Sequence, residues 1–385
     1  MIRPIVRRSI RLYSTATNSS SVEVPSDITS RPSLLSILPS KRTINRILFD
    51  NDARLPYKKM MPVLSTIYDN LDTPSEIKFP KYVKPSDLMT FKSVLGSIRV
   101  MTHSMNRNLV RLENELVEQA AELGDNDAIT ILAFETVRKK VKGQEVTKED
   151  YQYANDLIKQ LTDLKHPLVF KMGGDLAFEM NVHEKAKEYW LDFIKLQPDT
   201  IMASHVYCNL GMYYFSYGEH PDLKQAKLYF EKSIRFGEID KYTIKAHYYL
   251  GQLYAEVDPR VSKYHWEVSA SQGLKESFQS LGFLEMNIFE NFEKALEWFK
   301  LGVEASNDVA CLIGQFDVYF KMKKYQQGFD ILDKLETLQE QFNKAKLRGD
   351  IPDDMKSVME LNKSLLETFF NTRTDDIKLL TSRLG

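Results

Sequence analysis

The chain has 385 residues, 43% of them hydrophobic and 27% charged, with a formal net charge of −1. That length suits two or three domains or one long repeat array, and the composition is that of a folded, soluble protein. No apolar run approaches the ~18 residues a membrane-spanning helix needs, and two cysteines without a C-x-x-C exclude a disulfide framework and fit a reducing compartment.

In chain order, the first segment is MIRPIVRRSIRLY. Arg3, Arg7, Arg8 and Arg11 stand there with no acid before Glu23, and Arg3, Arg7 and Arg11 share one helical face, with Ile2, Ile5, Val6 and Ile10 largely on the other. An Arg-rich, acid-poor amphipathic start predicts a mitochondrial presequence over residues 1–13, and Arg11-Leu12-Tyr13-Ser14 resembles the processing motif R-x-Y-S. A surface-lying amphipathic anchor is the alternative. Residues 14–40 are rich in Ser, Thr and Pro and are expected to be a disordered linker.

Residues 41–109 form a basic helical section. Positions 31–111 hold 14 Lys/Arg against 6 Asp/Glu, whereas 112–385 hold 34 against 45. A basic section on an acidic body points to two faces with different partners, and Lys41, Arg42, Arg46, Lys58 and Lys59 are the candidate docking patch for anionic lipid or a protein partner. Ile44, Ile47 and Leu48 have helical spacing, as do Val63, Leu64, Ile67 and Leu71. Pro56, Pro62, Pro74, Pro80 and Pro85 argue against any long helix before about Ser86. Leu88, Phe91, Leu95 and Ile98 then mark one side of a helix, and a further helix ends at Gly124.

From residue 110 to 335 a pattern recurs. Ala186 precedes Tyr189 and Trp190; Ala226 precedes Tyr229 and Phe230; Ser262 precedes His265 and Trp266; Ala295 precedes Trp298 and Phe299. The small residues are 40, 36 and 33 positions apart, an interval of helical-hairpin repeats. Ahead of each stands a glycine (Gly174, Gly211, Gly251, Gly282), and four places before each glycine a ring (Phe170, Tyr207, His247, Phe278). Where two helices cross closely one must carry a small residue, and the facing ring fills the neighbouring hole. A degenerate last copy is expected at Tyr325, Gly328 and Leu332. Residues 344–354 read as a loop, and 357–370 and 375–384 as capping helices within a closing section, 336–385.

Phe170, Gly174, Ala186, Trp190 and Pro198 stand at offsets 0, 4, 16, 20 and 28. In this they resemble tetratricopeptide repeats. The connecting segments AAELGDNDAITIL, SASQGLKESFQSLG and GVEASNDVACLIG are similar to the related Sel1-like repeats. The expected fold is therefore all-α: a right-handed α-α superhelix (solenoid) of tetratricopeptide/Sel1-like hairpins, with an irregular helical N-terminal section.

Catalytic signatures are absent from the sequence. There is no Walker-type loop and no G-x-S-x-G, and His183-Glu184 lacks the second histidine of a zinc-protease motif. The acidic pair Asp125/Asp127 sits at a turn, where capping explains it. No enzyme activity, cofactor or metal is expected. Binding is the better class, and the exposed positions of each first helix lie three before, one after and four after the glycine. These give a candidate protein-binding groove of Lys171, Phe178, Met212, Phe215, Tyr248, Gln252, Gln279 and Phe283, with Asp175, Cys208, Ala255 and Met286 at equivalent places. The competing reading makes these rings ordinary core.

KRTINRILFDNDARL, SLGFLEMNIFENFEKALEWFKLGVE and the ending DDIKLL resemble a fungal family of mitochondrial matrix proteins needed for export of the C-terminal domain of cytochrome c oxidase subunit II. The resemblance implies a peripheral protein on the matrix side of the inner membrane, with subunit II and a YidC/Oxa-type insertase as protein partners. It carries over no residue role. The alternative is a helical-repeat RNA-binding or translation-activating factor, against which the acidic repeat region argues.

Overall fold

In the computed structural model, residues 31–103, 106–218, 220–348 and 353–384 are described, and every regular element among them is helical. The expected presequence and its processing motif, and residues 14–30 of the expected linker, lie outside these residues. The chain divides into two units, Met1–Phe193 and Ile194–Gly385.

In the first unit, α1 (Leu34–Ile37), α2 (Lys41–Asp50), α3 (Tyr57–Asp69), α4 (Pro85–Thr102) and α5 (Arg107–Glu122) share one core with α6 (Asn126–Val141), α7 (Lys148–Asp163) and α8 (Pro167–Glu179). Leu88, Phe91, Leu95 and Ile98 are all buried on α4, as their spacing predicts. Two expectations are corrected here. Residues 31–40 are not a disordered tract: Leu34 is buried, Arg31 pairs with Asp72, and the Tyr68 hydroxyl donates to the Pro32 carbonyl at 2.9 Å. A 13-residue helix, α3, also forms before Ser86 with Pro62 inside it. The proline costs about 3 kcal/mol. Burial of Met60, Val63, Leu64 and Ile67, each worth ~1.5–3 kcal/mol, outweighs that cost.

Helix α9 (His183–Leu196) pairs with α8 through Trp190, which packs on Gly174. The second unit holds the hairpins α10 (Ile201–Met212)/α11 (Leu223–Phe236), α12 (Lys241–Tyr254)/α13 (Pro259–Ser271), α14 (Lys275–Asn287)/α15 (Phe292–Ser306) and α16 (Val309–Lys321)/α17 (Tyr325–Arg348). It ends with α18 (Asp353–Thr372) and α19 (Thr374–Leu384). Side-chain caps start many of these helices; Asp308, for example, accepts from the Cys311 N–H at 2.8 Å.

The small-and-ring pattern is the packing rule of the hairpins. A Cβ added at Gly174, Gly211, Gly251 or Gly282 would overlap Trp190, Phe230, Trp266 or Phe299 respectively, each on the second helix of the same hairpin. Ala186, Ala226, Ser262 and Ala295 are all fully buried, and the Ser262 hydroxyl donates to the Gly251 carbonyl at 2.7 Å. Stacking between hairpins uses the same rings. Phe230 lies flat on Tyr249 of the next hairpin, centroids 5.2 Å apart, and Phe299 lies against both Gly282 of its own hairpin and Gly314 of the next.

Residues 344–348, expected as loop, continue α17, and α18 begins at Asp353. α18 and α19 cover the last hairpin: Phe369 meets Phe316 edge-on at 5.0 Å, and the Arg373 guanidinium forks onto both oxygens of Asp317 at 2.6 Å. Among the described residues no helix is long and apolar enough to cross a membrane.

Candidate interaction surfaces

The basic section shows how ion pairing sorts its positive charges. Arg54 binds Asp87, which is 4% exposed, with one N–H···O contact of 3.0 Å, and Asp87 also caps α4 by accepting from the Lys84 N–H. Arg99 forks onto the buried Glu113 at 2.5 and 3.0 Å, and Asp72 takes both Arg31 and Arg111. These four arginines serve the fold. The five candidate docking cations are left at the surface: Lys41, Arg42 and Arg46 on α2, Lys58 and Lys59 on α3.

The start of α2 and the start of α3 lie together. The Lys41 ammonium stands 5.6 Å over the ring of Tyr57, the residue before Lys58, while Lys59 lies 5.3 Å over Tyr82. Arg46 is 85% exposed at its side chain and has only a loose pairing with Asp50, at 3.9 Å. On the same helix, Phe49 is 83% exposed. Phe49 is absent from the sequence-based candidates. Its place three after Arg46 and seven after Arg42 puts it on their face, which is the signal that finds it.

The groove candidates are placed differently from the expectation. In the first unit, Lys171 is held by Asp175 at 2.6 Å, and the Phe178 ring lies 5.0 Å from His183 and 5.6 Å from Trp190. In the second unit, Phe215 packs on Tyr249 at 5.0 Å, Phe283 on Phe299 at 5.0 Å, and the Gln252 amide donates to the Tyr248 hydroxyl at 2.9 Å. Met212 joins Phe215 around the Phe230 core. All eight, Gln279 included, are half-buried, while Cys208 and Met286, expected at the open surface, are buried. The physical reason is ring size: each notch glycine admits a bulky ring from the second helix, and a ring four further along (Phe178, Phe215) or one further along (Phe283) packs against it. Phe178, Phe215 and Phe283 therefore belong at least partly to the stack itself.

Burial moves a histidine and a glutamate far from their ordinary ranges. The His247 and His265 Nδ1 atoms face each other at 2.9 Å, and burial pushes His247 down to about 4, reinforced by its neighbour. On α5, burial and the nearby Glu115, Glu122 and Glu135 push Glu118 up to about 7. No group of three or more His, Cys, Asp or Glu side chains is arranged to hold a metal ion among the described residues. Asp125 caps α6 as expected, accepting from the Ala128 N–H at 3.0 Å, while Asp127 pairs with His166.

Residues 30–125, which span the basic section and α5, match the family described as MSS2 N-terminal domain. The chain is 35% identical over 355 residues to "Protein MSS2, mitochondrial" of Saccharomyces cerevisiae, a match covering 89% of this chain and 93% of that one. Among solved structures it is similar to a Sel1 repeat protein from Oxalobacter formigenes, with a TM-score of 0.40, 16% identity and coverage of 62% of this chain and 96% of that one. It is also similar to yeast Tom70, with a TM-score of 0.40, 12% identity and coverage of 95% and 69% respectively. The sequence relationship extends over nearly the full length of both chains, and on that ground this chain belongs to the MSS2 family.

Proposed function

We propose that this protein is a mitochondrial assembly factor that works by binding polypeptide through its helical repeats, without catalysis. The observation that carries the reading is the near full-length relationship to a protein whose name places it in mitochondria. The stacked hairpins support it, because such units expose long faces suited to other chains. In finer detail, the protein acts at the matrix side of the inner membrane as a peripheral protein and assists export of the C-terminal domain of cytochrome c oxidase subunit II, alongside a YidC/Oxa-type insertase. The presequence expected at residues 1–13 fits that destination. The surface cations Lys41, Arg42, Arg46, Lys58 and Lys59, beside the exposed Phe49, supply the docking face.

The test is deletion of the gene followed by pulse-labelling of mitochondrial translation products. Subunit II made at the normal rate, with its C-terminal domain left on the matrix side, is the expected result. Loss of subunit II synthesis would instead place the protein with RNA-binding translation activators. Extraction separates the docking modes: alkaline carbonate should release the protein from membranes, and retention would defeat the peripheral assignment. Replacing the five cations with glutamate should weaken membrane association while leaving the helical content unchanged, since none of them is buried.

A further inference from the structure

The core divides helix α2 into two sides. Ile44, Ile47 and Leu48 are buried, whereas Lys41, Arg42, Asn45, Arg46, Phe49 and Asp50 are exposed. Phe49 breaks the pattern of that outer side. It is the most exposed large hydrophobic residue among those described, and Arg42 and Arg46 stand on its own helical face.

A chain of contacts joins this face to its neighbours. Lys41 lies over Tyr57 at the start of α3, Lys59 lies over Tyr82, and the Arg54 guanidinium donates to the Tyr82 carbonyl at 2.7 Å. Lys58, Lys59 and Lys81 are thereby added to the exposed cations of α2. Lys41, Arg42, Lys58, Lys59 and Lys81 have no ion pair among the described residues. Asp50 is the one acid on α2, and it stands 3.9 Å from Arg46. Unanswered cations held close together repel one another, and an anionic surface relieves that repulsion.

The chemistry of the face separates the kinds of anionic partner. A surface that takes single-stranded RNA stacks bases on several open rings. Here Tyr57 and Tyr82 lie beneath lysines, and Phe49 is the open ring. A stable protein interface has an apolar centre within a polar rim. On the outer side of α2, Phe49 is the single large apolar side chain, and its face is otherwise charged or polar. Cations at the level of lipid phosphates, with one aromatic ring reaching just below them, are what an anionic membrane surface accepts.

We propose that this face docks directly on an anionic lipid bilayer, with α2 against the headgroups and Phe49 entering the acyl boundary. This deepens the docking reading above and rests on it for membrane association. It adds the occupant, lipid rather than the insertase, and the inserted ring. The two fail separately: extraction and the five-cation replacement read association with mitochondrial membranes, whereas the vesicles below hold no protein partner.

The experiment uses the full chain with Asn45→Cys carrying a polarity-sensitive fluorophore. Asn45 is exposed one turn before Phe49, and both native cysteines are buried, so the label reports on this face. The probes are vesicles of phosphatidylcholine alone, vesicles of phosphatidylcholine mixed with phosphatidylglycerol, and a single-stranded oligouridine. A saturable blue shift with the mixed vesicles, none with phosphatidylcholine alone, and weakening as salt is raised are expected. Flotation of the unlabelled chain with the mixed vesicles reads two variants. Phe49→Ser should weaken binding about tenfold with its salt dependence unchanged, the worth of partly burying one ring. Arg42→Gln with Arg46→Gln should weaken it ~25-fold, about fivefold for each cation, and flatten the salt dependence. These side chains are exposed, so the helical content should not change. No shift with the mixed vesicles, while the protein still associates with mitochondrial membranes, overturns the proposal in favour of a protein partner. Flotation unchanged in both variants also overturns it, because binding then runs through another segment, residues 1–13 included. A larger shift with oligouridine than with the vesicles overturns it too and makes the face an RNA surface.

Discussion

Gly96→Ala and Gly282→Ala are one chemical change placed in two helices, and the packing gives them opposite signs. In the interior of α4, a Cβ on Gly96 meets nothing within 4 Å beyond its own helix backbone. Only the backbone entropy of glycine then matters, and alanine should stabilise by ~0.5–1 kcal/mol. On α14 the same Cβ overlaps the ring of Phe299. That ring is fully buried and also lies against Gly314 of the next hairpin, so it has little room to move aside. Overpacking of this kind costs about 1–3 kcal/mol, which exceeds the helix-propensity gain. Urea unfolding followed by circular dichroism should therefore show the midpoint rising for Gly96→Ala and falling for Gly282→Ala. Phe299→Leu in the Gly282→Ala background makes the cause specific: the shorter side chain vacates the space, so the two changes should couple by at least ~0.5 kcal/mol. If Gly282→Ala stabilises as Gly96→Ala does, or if the double variant is simply additive, the notch-and-ring account of the stack is wrong.

Acid should act on the two units in opposite directions. Glu118 keeps its proton up to about pH 7 in the folded chain, so its contribution is present at acid pH and is lost as pH rises from the ordinary carboxylate range through about 7. Glu118→Gln should raise stability at pH 8, by no more than about 3 kcal/mol, and change little at pH 4. His247 is the reverse case: depressed to about 4, it stabilises above its ordinary range and the contribution fades as pH falls from about 6.5 to about 4, so His247→Gln should flatten the acid side of the unfolding profile. Both cysteines are buried and pushed upward, Cys208 to about 12, so a thiol reagent at pH 8 should label the native chain far more slowly than the urea-unfolded one. Equal rates would show that burial does not protect them.

Most of the repeat architecture was legible in the sequence because its cause is local. A glycine, a ring four residues before it and a small residue before a second ring are set by how two helices of one hairpin meet, and that spacing is written within about 35 residues. From Gly174 to Phe299 all four notches hold the ring that this spacing predicts. The helix through Pro62 was not legible. A proline's local penalty is visible in sequence, but the burial of Met60, Leu64 and Ile67 that outweighs it depends on helices far along the chain. Leu34 illustrates the same point: a Ser- and Pro-rich surround reads as disorder, yet one leucine buried in the core and one arginine on Asp72 are enough to fix the segment.

The surfaces divide along the same line. Composition alone determined that residues 31–111 are basic and the remainder acidic, because a charge belongs to its residue whatever the fold. Which cations remain available was decided by tertiary structure: Arg31, Arg54, Arg99 and Arg111 are drawn into ion pairs with acids up to 41 positions away, and Lys41, Arg42, Arg46, Lys58 and Lys59 stay at the surface. Likewise, sequence spacing could name which residues follow each glycine, but not whether a neighbouring ring would cover them. Exposure is a property of the assembled helices, since a side chain's access to water depends on every element packed beside it.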